Sequence, residues 1–202
     1  MVMAKYGMVV DLMRCVGCNA CVVACKLEHN APNGIVQTGV LEKEMGKFPN
    51  AIRVFVPVLC NHCEEPTCVD VCPKKATCKR DDGVVMIDFE KCIGCGACVE
   101  HCPYHARILV ENNETVFPDG ETVFEKPVYQ KIPRKVALKC DFCFFRVEKG
   151  LPPVCVAVCP TSARIFGDLD DAKTEVHALI EKHNAWTMLP DEMTKPQVFY
   201  IG

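Results

Sequence analysis

Two stretches of this chain read alike. GMVVDL at 7–12 and GVVMID at 83–88 are short apolar runs that meet an acidic residue, the pattern of a buried strand entering a turn. KRDD just before the second run supplies a turn of its own. PNGIVQTGVLEKEMGKFPNAIRVFVPVL, residues 32–59, is strand-prone at its end, where apolar and polar positions alternate. ETVFPDGETVF, 114–124, reads as two strands about a PDG turn. DDAKTEVHALIEK has helical spacing. Asp170 or Asp171 is its expected cap, and Ala172, Val176, Leu179 and Ile180 form its expected buried stripe.

Composition changes this picture. Of 202 residues, 17 are cysteine and 7% are aromatic, so apolar content reaches 50% only with cysteine included. An ordinary core is thin, and something else must hold the chain together. The odd cysteine count keeps disulfides from using them all. Net charge is −3 with the signs interleaved, which gives no reason to expect nucleic acid. No apolar run approaches the ~18 residues that span a bilayer. MVMAKYGMVVDLMRC has no apolar h-region of signal length. The expectation is a chain that stays inside the cell or is exported with a partner carrying the signal.

Sixteen cysteines fall into four groups: Cys15, Cys18, Cys21, Cys25; Cys60, Cys63, Cys68, Cys72; Cys92, Cys95, Cys98, Cys102; and Cys140, Cys143, Cys155, Cys159. Each begins C-x2-C and ends C-x3-C. CPKKA, CPYHA and CPTSA follow groups two to four, whereas group one continues CKLEH. These repeats indicate internal duplication. Disulfides do not need four copies of this spacing, and adjacent C-x2-C pairs close poor loops. Zinc fits group four, whose middle gap is long. In groups one and three, three closely spaced cysteines suit three corners of a cubane, with the fourth serving the other cluster of a pair. Repetition therefore favours four [4Fe–4S] clusters, while spacing alone leaves open which groups pair.

CVGCNACVVACK, CNHCEEPTCVDVCP, CIGCGACVEHCPYHAR and KCDFCFFRVEKGLPPVCVAVCPTSAR resemble the four motifs of the iron–sulfur subunits that serve molybdenum or tungsten pterin oxidoreductases of the dimethyl sulfoxide reductase superfamily. GDLDD and the tail TKPQVFYI extend the likeness over nearly the whole chain, and the look is that of the polysulfide, thiosulfate and arsenate reductase branch. The resemblance implies one cluster on Cys15, Cys18, Cys21 and Cys159, and a second on Cys25, Cys140, Cys143 and Cys155. It implies a third on Cys60, Cys63, Cys68 and Cys102, and a fourth on Cys72, Cys92, Cys95 and Cys98. It further implies a pterin-bearing catalytic subunit near the first pair and a quinone-linked membrane subunit near the second pair. The complex would be membrane-associated, on the periplasmic side by co-export or else cytoplasmic.

The expected fold is α+β. Residues 1–55 with 135–167 and residues 56–110 would form two bacterial-ferredoxin-like modules, with a β-hairpin insertion at 111–134 and a C-terminal helix and tail at 168–202. The expected role is electron relay, with no catalysis by the chain itself. A subunit of a hydrogenase or formate-linked complex is the alternative, and a structural zinc protein is the remote one. His62, His101 and His105 are read as packing or hydrogen-bonding residues. Arg107 and Arg164 follow C-P-x-x-A in equivalent places. Each would raise a cluster's potential, meet a partner, or be solvated or locally paired; Lys139 and Arg146, flanking CDFC, carry the same ambiguity. Glu64 and Glu65 read as a solvated edge. Cys78 is left over, not a ligand, and is expected as a small buried hydrophobe.

Overall fold

The structure is a computed structural model and describes residues 4–111, 120, 123 and 135–202. The hairpin expected at 111–134 falls largely outside these residues. Helices and strands mix in short pieces, with several small sheets. The first sheet has three strands. β1 (Tyr6–Asp11) lies at its centre, antiparallel to β8 (Arg164–Asp168) and parallel to the tail strand β9 (Val198–Ile201).

Both faces of β1 are covered, which explains its unbroken apolar run. Met8 and Val10 enter a core with Phe142, Val198, Tyr200 and several cysteines. Val9 points the other way, to Ile165, Val176 and Ile201. Val176 belongs to the C-terminal helix, Glu175–His183. That helix starts later than the charge pattern suggested. Thr174 is its cap, its side-chain oxygen accepting from the His177 amide at 3.3 Å. Asp171 instead closes a turn on the Lys173 amide. Ala172 therefore precedes the helix and is exposed, while Val176, Leu179 and Ile180 do form the packed stripe.

Three two-stranded ribbons accompany this sheet among the described residues. β2 (Thr38–Met45) pairs with β3 (Ile52–Leu59), β4 (Thr77–Lys79) with β5 (Val85–Ile87), and β6 (Ile108–Val110) with β7 (Val136–Leu138). The cysteine segments run between these strands. The segment 194–197 crosses the second of them: the Glu64 amide donates to the Lys195 carbonyl and the Gln197 amide to the Asn61 carbonyl.

Candidate metal centres

Each C-x2-C loop turns on its third residue. Gly17, His62, Gly94 and Phe142 occupy equivalent positions and all have positive φ, at 68°, 44°, 65° and 56°. That conformation turns the chain sharply between two sulfurs. Glycine adopts it freely and other residues do so at a cost. At Gly94 a Cβ would lie 1.9 Å from the Lys135 carbonyl oxygen, so close backbone approach also excludes a side chain there.

The segment after the fourth cysteine is equally regular. In CPKKA, CPYHA and CPTSA the residue before alanine is left-handed: Lys75, His105 and Ser162 have φ of 49°, 49° and 51°. In the first and last of these, the turn brings the alanine amide back to the sulfur. Ala76 donates to Cys72 and Ala163 to Cys159, each at 3.2 Å. A preceding residue avoids the helical region when proline follows. The helices before these prolines accordingly stop after one turn, at Thr67–Asp70 (α2), Ala97–Glu100 (α3) and Val154–Ala157. Group one has Lys26 in place of proline, and its helix α1 runs from Ala20 to Glu28.

Cysteines from different groups line shared hollows. One, of about 330 Å³, is lined by Cys15, Cys18, Cys21 and Cys159. Another of about 330 Å³ is lined by Cys60, Cys63, Cys68 and Cys102. The third, of about 350 Å³, is lined by Cys72, Cys92, Cys95 and Cys98. Cys25, Cys140, Cys143 and Cys155 are all buried, and the thiols of Cys25, Cys140 and Cys143 each feel the charge of Cys155. Burial first, and then neighbouring thiols, push Cys25 up to about 12; burial likewise pushes Cys63 and Cys143 up to about 12. Thiolates in such places need a cation to stabilise them. Burial also opposes ionisation of Cys72 and Cys159, but hydrogen-bonding neighbours outweigh it and hold both below their ordinary values: the Thr77, Ala76 and Lys74 amides at Cys72, the Ala163 amide and Thr161 at Cys159. Arg164 lines the first hollow, and its buried Nη1 has no protein partner among the described residues. Soft donors in sets of four, beside an unspent cationic donor, fit an anionic metal–sulfur group.

Residues 52–118 and 124–169 match a 4Fe-4S dicluster domain, and residues 14–76 match another family of that description. The chain is 40% identical to the putative dimethyl sulfoxide reductase iron-sulfur subunit of Halobacterium salinarum, over 99% of this chain and 80% of the relative. It is 38% identical to the arsenate respiratory reductase iron-sulfur subunit of Shewanella sp., over 98% of this chain and 96% of the relative. The chain belongs to the iron–sulfur subunits of the dimethyl sulfoxide reductase superfamily. As a member of that family it carries four [4Fe–4S] clusters, transfers electrons and works beside a separate catalytic subunit. It is also 36% identical to the iron-sulfur cluster-binding subunit of the menaquinone reductase of Nitratidesulfovibrio vulgaris, over 98% of this chain and 89% of the relative. No helix among the described residues is long and apolar enough to cross a membrane.

Several side chains sit differently from their sequence reading. Cys78 is exposed on β4, paired across the ribbon with Met86, so it is not a buried hydrophobe. In a three-residue strand with one covered face, Thr77 takes the inward position and Cys78 the outward one. Arg107 and Arg164 are buried, at 3% and 2% exposure, which removes the solvated reading. Lys139 is buried as well, its ammonium donating to the Val85 and Cys140 carbonyls. Arg146 is locally paired, with Glu28 at 3.3 Å. Glu64 and Glu65 pair with Lys5 and Lys195, so this edge is charged on both sides. His101 and His105 are exposed, and His101 Nδ1 lies 2.9 Å from the Ala97 carbonyl.

His62 is fully buried. It accepts the Val85 amide at Nδ1 and stacks on Phe142 with ring centroids 3.8 Å apart. Burial first, then the Lys139 and Arg107 charges, hold it well below its ordinary pKa, as a packing role requires. His29 carries a contact that the sequence did not flag. Its Nε2 lies 3.2 Å from the Cys143 sulfur and 3.6 Å from Asp141. Only its distance in sequence from group four, 114 residues, hid it.

Proposed function

We propose that the chain conducts electrons through four clusters ligated crosswise. Cluster 1 takes Cys15, Cys18, Cys21 and Cys159; cluster 2 takes Cys25, Cys140, Cys143 and Cys155. Cluster 3 takes Cys60, Cys63, Cys68 and Cys102; cluster 4 takes Cys72, Cys92, Cys95 and Cys98. What carries the reading is the composition of the hollows: each is lined by three cysteines of one group and one of another. Bound clusters supply one-electron redox chemistry. The chain's own task is to hold sixteen thiolates, exclude water from the inner ones and space the groups.

Exposure suggests the order. Cys18 in the first set and Cys95 in the fourth are exposed, while the second set is wholly buried and the third has no exposed member. Electrons enter and leave at clusters 1 and 4 and cross the interior through 2 and 3. Residues 1–55 with 135–167 hold the first pair and residues 56–110 the second, as two ferredoxin-like modules. A molybdenum or tungsten pterin subunit meets one end and a quinone-linked membrane subunit the other, in keeping with the menaquinone reductase relative. The complex sits at the membrane through that partner.

Anaerobic purification with the catalytic subunit, followed by metal analysis, should give about sixteen irons per chain. Four zincs and no iron would overturn the reading. Single Cys→Ser variants, followed by electron paramagnetic resonance of the reduced complex, test the pairing. Cys72→Ser should remove the signal that Cys92→Ser removes, and leave the one that depends on Cys60.

A further inference from the structure

Among the described residues three cations are buried: Arg107, Lys139 and Arg164. Burying a charge is costly unless an opposite charge lies beside it. Among the described residues no Asp or Glu is buried, and none of the three cations forms an ion pair with a carboxylate. The two arginines instead line hollows rich in cysteine, and the lysine ammonium is held by carbonyls of residues beside such hollows.

Arg107 lines the hollow of Cys60, Cys63, Cys68 and Cys102, and its Nη2 donates to the Cys68 sulfur at 3.0 Å. Its Nη1 is anchored on Thr77 Oγ1 at 3.1 Å. Thr77 also lines the neighbouring hollow of Cys72, Cys92, Cys95 and Cys98, so the same guanidinium stands between the two. Arg164 repeats this in the other half. It lines the hollow of Cys15, Cys18, Cys21 and Cys159, is anchored on Thr38 Oγ1 at 3.0 Å, and leaves Nη1 unspent. Cys21 lines that same hollow and packs in one buried cluster with Cys140 and Cys155, on which the Arg164 charge also acts. Lys139 precedes Cys140 in the chain, donates to that residue's carbonyl at 2.7 Å, and also reaches Val85, which lines the hollow of Cys60 and Cys68. Its charge acts on Cys68.

We infer that one buried cation stands at each junction of the electron path: Arg164 between clusters 1 and 2, Lys139 between 2 and 3, and Arg107 between 3 and 4. This rests on the cysteine pairing proposed above. A reduced cluster is more negative than an oxidised one, so a fixed positive charge beside it favours reduction and raises its potential. Inside a protein that field is weakly screened, but it falls with distance. A cation shared by two clusters raises both, which keeps neighbours reducible together. These are positioning residues in the electrostatic sense, since the thiolates do the ligation.

The test uses the assembled complex with its catalytic subunit. Arg107→Gln, Lys139→Gln and Arg164→Gln remove one charge each, and redox titration followed by electron paramagnetic resonance reads each cluster's midpoint. Signals are assigned beforehand with the Cys→Ser variants, so a wrong pairing shows there, independently of the cation variants. Arg107→Gln should lower clusters 3 and 4 and leave 1 and 2. Arg164→Gln should lower 1 and 2 and leave 3 and 4. Lys139→Gln should lower the inner two alone. Arg107→Lys and Arg164→Lys keep the charge and should keep both iron content and midpoints near those of the parent. The inference is overturned if the glutamine variants move no midpoint or move all four alike. It is equally overturned if the lysine variants lose clusters or potential as the glutamine variants do, since that would mark a role for shape and not for charge.

Discussion

From Asp11 to Cys25 the chain does what it does again from Asp88 to Cys102, until the fourth cysteine. Asp11 accepts the amides of Met13 and Arg14 at 3.0 and 3.3 Å and pairs with Arg14. Asp88 accepts those of Glu90 and Lys91 at 3.0 and 3.4 Å and pairs with Lys91. Gly17 and Gly94 then turn at φ within a few degrees of each other. Past the fourth cysteine the copies part. Pro103 follows α3, whereas Lys26 lets α1 continue and spends its ammonium on the carbonyls of Ala31, Pro32 and Ile35. A loop that must wrap a cluster has little freedom, so duplication preserved it. The exit carries no such demand, and there the copies were free to diverge into a one-turn helix and a nine-residue one.

The largest effect should come from breaking the loop itself. Cys140 is buried, so Cys140→Ser should cost a cluster, about four of roughly sixteen irons, and abolish electron transfer through the interior. Iron analysis and quinol-linked turnover of the complex check this. Next come the matched glycines, which separate two obstacles. Gly94→Ala drives a Cβ into backbone at Lys135, which cannot yield, and should cost more than about 3 kcal/mol or prevent cluster assembly. Gly17→Ala meets only the Phe55 side-chain ring, at 2.3 Å, which can rotate away. It should cost about 1–2 kcal/mol, mostly as left-handed strain. Thermal melts of the complex should rank them in that order, and equal effects would mean that the Lys135 backbone does not set the two loops apart.

The divergent exit is a smaller lever. Lys26→Met removes three hydrogen bonds to the chain that leaves α1 while keeping the apolar stem. Net hydrogen bonds are worth about 1 kcal/mol each and these are partly solvated, so a loss of about 1–2 kcal/mol is expected, with iron content intact. Lys26→Pro would give group one the exit of group three. It should shorten α1 and lower stability further, read as lost helical circular dichroism.

How much of this was legible in sequence depended on whether the information was local. Cysteine spacing, the duplicated acid and glycine, and the strands before groups one to three lie within short windows and reappear in the fold, whereas β7 before group four was not read. The helix stripe was legible too, but its start was not. Three polar residues, Asp170, Asp171 and Thr174, could each cap, and tertiary packing against β8 chose the last. The left-handed turns at His62 and Phe142 were hidden because neither is glycine. Their cost is offset by stacking on each other across 80 residues of chain, a contact that no local pattern carries. His29 was missed for the same reason, and Lys139 stayed open between a solvated place and one facing a cluster until the fold closed around it.

The smallest effect should come from Cys78. The structure moves it outward to an exposed place on β4, with Met86 opposite. Exposure removes the packing argument for keeping a cysteine there, yet strengthens the expectation that iron does not need it. None of the three cysteine-lined hollows includes it, and the buried fourth set is complete without it. Cys78→Ser exchanges one small exposed side chain for another in a three-residue strand, so stability should change by less than about 0.5 kcal/mol. Iron content and every cluster signal should match the parent, whereas Cys72→Ser, six residues earlier, should lose the cluster built on Cys92, Cys95 and Cys98. Electron paramagnetic resonance of both reduced variants makes the comparison. A cluster lost from Cys78→Ser and kept in Cys72→Ser would mean that the proline after the fourth cysteine does not mark the end of the ligand set.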